Sequence, residues 1–200
     1  MSQPGGNGGA DRERVVFYLD PLCPWTWRTA IWMREVRQVR PVEIEWRFFS
    51  LDKNRGDEWA DGRSGLAMRT MALARRLGGQ EALERLYMAL GLFERPRQPE
   101  LREPAVIDAA VAAAGLPADL RERAAADASI VEEIDAEHAA AAERFKAFGV
   151  PLIVLDGGEG PYLFGPVITQ VPTGEDAAEV WDRFVWLTRR PEFLEVKRPR

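Results

Sequence analysis

An apolar run rich in β-branched and aromatic residues, Val15-Val16-Phe17-Tyr18-Leu19, leads straight into Asp20-Pro21-Leu22-Cys23-Pro24. The run has the length and chemistry of a strand, and Asp20-Pro21 closes it. Pro24 is tolerated only near a helix start, where its missing N–H would have had no partner. The chain must therefore pass from strand to helix within a few residues, and its single cysteine sits at the join. From Pro24 to about Arg40 the apolar Trp25, Trp32, Val36 and Val39 recur at helical spacing, and Pro41 ends that helix. Val42-Glu43-Ile44-Glu45-Trp46-Arg47-Phe48 then alternates apolar with charged residues, which predicts a half-buried strand ending near Ser50.

The middle of the chain reads as helix. A polar, turn-rich passage from Asp52 to Arg63 leads to a helical face of Leu66, Met71, Ala74 and Leu77, stopped by Gly78-Gly79. A further helix carries Leu83, Leu86, Tyr87 and Leu90 on one side, and Arg95-Pro96-Arg97-Gln98-Pro99 is a loop. Pro104 opens an alanine-rich helix that Gly115-Leu116-Pro117 terminates. Ser129 is placed to cap a long helix with Ile130, Ile134, Ala141, Phe145 and Phe148 on one stripe and Gly149 as its stop.

Toward the end, Pro151–Leu155 and Tyr162–Phe164 predict a hairpin around Asp156-Gly157-Gly158-Glu159-Gly160. Thr173 with Asp176 has capping-box spacing ahead of a helix that buries Ala177, Val180, Trp181, Phe184 and Leu187. The order is β-α-β, an all-helical block, then β-β-α: an α/β chain of the thioredoxin fold with a helical insertion. The expected division is a glycine-rich, disordered tail over residues 1–13, a thioredoxin-like domain over 14–55 and 149–200, and the insertion over 56–148.

Composition removes several functions. The formal net charge is −5, and arginines are accompanied by acidic residues, so there is no basic footprint for nucleic acid. One cysteine and one histidine cannot assemble a Cys/His metal site or a convincing Cys-His protease pair, so no metal is expected. No run reaches the ~18 consecutive apolar residues a membrane span needs. Residues 1–10 have neither the basic nor the apolar region of a secretory signal. A lone cysteine makes no intrachain disulfide, which points to a reducing cytoplasm. His138, in an alanine-rich helix, is expected to be a solvated surface residue, as are the charges of Arg121-Glu122-Arg123.

What remains is the thiol. At a strand-to-helix junction, unpaired backbone N–H groups and the positive end of the helix dipole favour thiolate over thiol. Cys23 is thus a candidate nucleophile rather than a small buried hydrophobe. Trp25, Trp27, Trp32 and Trp59 are candidates to floor an apolar pocket near it; Trp25 is the best placed as a wall, whereas helical spacing puts Trp27 or Trp32 in the core.

Phe17-Tyr18-Leu19-Asp20-Pro21-Leu22-Cys23-Pro24-Trp25, with Gly149-Val150-Pro151 before a strand and Phe164-Gly165-Pro166-Val167 ahead of the last helix, resembles the DsbA-like thioredoxin-fold proteins. Within these it resembles the mycothiol-dependent nitroreductase group of actinobacteria, from about Val15 to Arg198. The resemblance implies that Cys23 is the attacking cysteine and Pro151 a cis-proline bordering it. It also implies that Val150 offers its backbone beside the sulfur. Thr26 stands where those proteins carry a second, resolving cysteine, so a dithiol cycle is unavailable.

A monothiol cycle is left, in which mycothiol or another low-molecular-weight thiol forms or releases a mixed disulfide with Cys23. The Thr26 hydroxyl is placed one helical turn away to hydrogen-bond the thiolate; the other reading is a degenerate site without turnover. The expected partners are thus a small thiol and an electrophile, with a homodimer left open. Two rival functions share the fold: a transferase or isomerase resembling kappa-class glutathione transferases, and a non-catalytic DsbA-like scaffold.

Overall fold

The computed structural model describes residues 12–93 and 101–198. Strand β1 (Glu13–Leu19) is buried on both faces from Val15 onward, which is why its sequence does not alternate. Helix α1 (Pro24–Val39) carries the chain over to β2 (Val42–Phe48), which pairs parallel with β1, Val15 opposite Ile44 and Leu19 opposite Phe48. Five helices follow: α2 (Leu51–Asn54), α3 (Gly65–Phe93), α4 (Pro104–Ala113), α5 (Leu120–Ala126) and α6 (Ser129–Phe145). The chain returns as β3 (Leu152–Val154), antiparallel to β1, and β4 (Tyr162–Phe164), antiparallel to β3, before α7 (Gly174–Thr188). The sheet order is β2-β1-β3-β4. This is the thioredoxin fold with an all-helical insertion between its halves.

Alternate residues of β1 serve two cores, because side chains in a strand point to opposite faces in turn. Val15, Phe17 and Leu19 join Trp27, Met33 and Val36 of α1, Trp181 and Phe184 of α7, and much of α3. Val16 and Tyr18 face Ala141 and Phe145 of α6 together with Leu152 and Val154 of β3. The outer edge of β2 is covered by side chains of the insertion. Trp46 N–H donates to Gln80 Oε1 at 2.9 Å and Phe48 N–H to Glu137 Oε2 at 2.7 Å, while Arg75 donates to the Trp46 carbonyl at 2.9 Å. An edge that would otherwise be open to pairing is thereby closed.

Several local expectations change. The polar passage after Asp52 begins inside α2, where Ser50 Oγ accepts from Lys53 N–H as a cap. The stop expected at Gly78-Gly79 is kept: both residues are non-helical, so α3 is two helices meeting at a kink, and Gly79 holds φ +68°, which a side chain would resist. Ser129 does not cap α6: Ala128 is the N-cap, and the Ser129 N–H and Oγ both bond Asp127 Oδ1. That helix stops at Phe145, with Lys146 rather than Gly149 taking the left-handed turn. Thr173 is the N-cap of α7 but makes no side-chain cap bond. Leu77, Val39, Val180 and Phe148, expected on buried faces, are exposed. The loop Arg95–Pro99 and residues 1–11 of the predicted tail lie outside the described residues. Among the described residues no helix is long and apolar enough to cross a membrane.

Candidate active site

Asp20 shapes the turn that delivers the thiol. Its Oδ1 accepts Leu22 N–H at 2.8 Å and its carbonyl accepts Cys23 N–H at 3.0 Å, an Asx-type turn off the end of β1. Its second carboxylate oxygen accepts Leu51 N–H at 2.7 Å, which ties that turn to the start of α2. Asp20 is fully buried, and burial raises its carboxyl to about 6 against the pull of those backbone donors. From sequence alone Asp20 marks only the end of a strand; the signal for its role is an Asp able to accept the N–H two residues on.

Cys23 is the N-cap of α1 with extended backbone, φ −94° and ψ 106°, and Pro24 fills the first helical position. Trp27 N–H donates to the Cys23 carbonyl at 3.2 Å and closes the first turn. The Cys23 thiol donates to Val150 O across 3.6 Å, joining residues 127 apart in the chain. The Val150-Pro151 peptide bond is cis. Cys23 is 8% exposed, and Pro24, Trp25 and Val150 around it are half-buried. The thiol is therefore buried, outside both apolar cores, with half-buried neighbours.

Thr26 is in place one turn along α1, yet it makes no bond to the sulfur. Its hydroxyl is fully buried and has no hydrogen-bond partner among the described residues, because the sulfur is turned to the Val150 loop while Thr26 faces inward. Of the tryptophans, Trp25 alone stays half-buried beside the thiol, with the Arg28 guanidinium 4.9 Å from its ring. Trp27 and Trp32 are core, and Trp32 Nε1 donates to Ala177 O at 3.2 Å in α7. Trp59 is buried and donates to Asp135 Oδ1 at 2.7 Å, so it walls no pocket at the thiol.

Thr29 was not anticipated. Its hydroxyl lies 2.6 Å from Pro166 O and 3.0 Å from Trp25 O, tying the helix to a second cis bond, Gly165-Pro166, after β4. Gly165 N–H in turn donates to Pro151 O at 2.8 Å, so the two proline loops support each other. His138 is not a solvated surface residue: Nδ1 accepts Ser50 N–H at 3.2 Å and the ring stacks on Phe49 with centroids 4.3 Å apart. Burial, and then the Lys53 charge, hold its pKa below the usual range, which keeps Nδ1 free to accept. Among the described residues no group of three or more His, Cys, Asp and Glu side chains could hold a metal ion.

Residues 22–198 match the model of the Rv2466c-like family, described as mycothiol-dependent nitroreductase Rv2466c. The chain belongs to this family. An uncharacterised protein of Mycobacterium tuberculosis, Rv2286c, is 33% identical over 203 residues, covering 93% of this chain and 82% of that protein. Among solved structures, the thiol-disulfide exchange protein α-DsbA2 of Wolbachia pipientis superposes with a TM-score of 0.60 at 15% identity, over 90% of this chain and 83% of its own. The cytosolic disulfide reductase DsbM of Pseudomonas aeruginosa, solved with GSH, gives 0.58 at 15% identity, over 87% and 100%. At such identities these two structures speak for the fold; the Rv2466c-like match is what makes the chain an enzyme of a thiol-dependent redox family.

Proposed function

We propose that Cys23 works without a resolving cysteine, in a monothiol cycle with a low-molecular-weight thiol of the mycothiol type, in a reducing cytosol. The observation that carries this reading is the chain's one cysteine at the start of α1, its sulfur 3.6 Å from Val150 O beside cis-Pro151. With a mixed disulfide X–S–S–R, the Cys23 thiolate attacks the R sulfur, the old S–S bond breaks, and X–S⁻ leaves reduced. A second thiol R–SH then attacks the R sulfur of Cys23–S–S–R, giving R–S–S–R and returning Cys23. The sum is X–S–S–R plus R–SH giving X–SH plus R–S–S–R: one thiol is consumed, and the electron pair goes to the sulfur that leaves on X. A small two-electron electrophile E needs two thiols: Cys23 adds to E, one R–SH attacks the Cys23 sulfur and releases reduced EH₂ to leave Cys23–S–S–R, and a second R–SH returns Cys23 with R–S–S–R.

The neighbours fit these roles. Pro24 pre-sets the helix start that presents the sulfur, and Trp25 walls one side. Val150, half-buried, offers backbone to the extended thiol once the S–H has left its carbonyl. Thr26 makes no bond to the sulfur in this arrangement; its role rests on its buried hydroxyl, without a hydrogen-bond partner among the described residues, turning to the thiolate once Cys23 has left the Val150 carbonyl. The test is intact mass after incubation with oxidised mycothiol. Wild type gains one thiol on Cys23 and loses it to excess reduced mycothiol, while Cys23→Ser gains none. A wild type that takes up nothing, or a Cys23→Ser chain that still takes up the thiol, overturns the proposal.

A further inference from the structure

Neither Pro151 nor Pro166 has a backbone N–H with which to fasten its loop, so each is held through its carbonyl instead. Pro151 O accepts Gly165 N–H at 2.8 Å, and Pro166 O takes the Thr29 hydroxyl at 2.6 Å. Thr29 is fully buried in α1 and reaches Pro166 across 137 positions of chain. A helical threonine commonly turns its hydroxyl back on the carbonyl four residues earlier, here Trp25 O at 3.0 Å. The hydroxyl has one proton to give, however, and the contact with Pro166 is the shorter. Thr29 therefore acts as a strut from α1 to the loop after β4 rather than as a local helix bond.

The strut completes a circuit that includes the reacting sulfur. From Cys23 it passes through the thiol to Val150 O at 3.6 Å, along the chain to Pro151, across to Gly165, along to Pro166, and through Thr29 back into α1, the helix that Cys23 caps. One link is lost during the reaction. A thiolate or a mixed disulfide has no proton to donate, so the bond from Cys23 to Val150 goes. What then remains of the circuit between α1 and Val150 runs through Thr29, at the stage when the Val150 backbone has to meet an incoming disulfide.

We propose that Thr29 is a positioning residue for disulfide exchange: its bond to Pro166 O keeps the Val150 backbone in place beside the Cys23 sulfur once the S–H link has gone, and so favours disulfides with an extended, amide-bearing backbone. The role rests on the reading of Cys23 as the attacking thiol. Exchange breaks the S–S bond of the disulfide R–S–S–R, forms Cys23–S–S–R and releases the other half as the thiolate R–S⁻. Thr29 takes no part in that step; it sets where R lies.

The test follows exchange by intact mass with two disulfides. The disulfide of N-acetylcysteine N-methylamide has backbone amides to lay beside Val150, and bis(2-hydroxyethyl) disulfide has none. Thr29→Val is isosteric and removes the hydroxyl. It should raise the concentration of the amide disulfide giving half-maximal exchange by about tenfold, with the limiting rate unchanged. Exchange with bis(2-hydroxyethyl) disulfide should stay within roughly twofold, and Thr29→Ser should restore the first without moving the second. An equal loss with both disulfides marks a general disturbance of the helix and overturns the positioning role, as does no loss with either. Failure of the Cys23 reading has a different signature: a wild-type sulfur that exchanges with neither disulfide overturns both.

Discussion

Asp20 shows how one carboxylate can organise a site it does not enter. Each of its oxygens accepts a backbone N–H, one from the thiol turn and one from the start of α2, and burial lifts its carboxyl from 3.8 to about 6. A raised carboxyl means that the folded state keeps its proton where the unfolded state has lost it, so this group's contribution falls as pH rises from about 4 to 6 and is level above. The size is of order 3 kcal/mol. Urea unfolding between pH 4 and 7 should show this decline in wild type and lose it in Asp20→Asn. That variant should also be about 1–3 kcal/mol less stable at low pH, where an amide NH₂ faces one of the two donors. A wild-type profile matching that of Asp20→Asn removes Asp20 from the account. Cys23 and Pro24 were legible because their meaning is local, a thiol and an imino acid at a strand-helix join. Asp20 and His138 carry only the signals of a strand end and a solvated surface residue, since their burial depends on the segment around Ser50 and Leu51 meeting the thiol turn and α6.

At the level of elements, the thiol helix is seated by a glycine on the insertion. Gly91 of α3 packs so closely on Trp27 of α1 that a Cβ there would overlap the indole nitrogen. Alanine is the better helix former by about 1 kcal/mol, yet Gly91→Ala should destabilise the chain by roughly 1–3 kcal/mol because Trp27 has to move. Denaturant midpoints in a Trp27→Ala background decide the cause: with the indole gone, the same Gly91→Ala change should be neutral or stabilising. A loss of equal size in both backgrounds would place the cost in the helix itself. The periodicity of α1 and α3 was readable, since 3.6-residue spacing is a property of a single segment. That one glycine meets one tryptophan was not, because the contact joins two segments more than sixty positions apart.

The whole molecule holds together through side chains that link the insertion to the sheet and to α1. Buried Glu84 of α3 accepts both Arg37 Nη atoms at 2.8 Å and Trp46 Nε1 at 3.2 Å, and pairs with Arg34 Nε at 2.9 Å. Glu84→Ala leaves the Trp46 N–H without its acceptor and two arginines without their partner. It should cost about 2–4 kcal/mol, a fall in Tm of roughly 4–16 °C. Differential scanning calorimetry should record one transition at the lower temperature, because α1, β2 and α3 share the core. An unchanged Tm would show that these links are incidental.

The amino-acid order alone determined the succession β-α-β, helices, β-β-α, and set the sole thiol at the first strand-to-helix join. These are consequences of periodicity and of proline and glycine breaks, which act over a few residues. Only the tertiary structure decided that the thiol donates to the Val150 carbonyl, that Thr26 turns inward with no hydrogen-bond partner for its hydroxyl among the described residues, and that Phe148 is left exposed. Those outcomes depend on which distant segments pack together and which atoms lose water when they do, and local spacing carries no record of either.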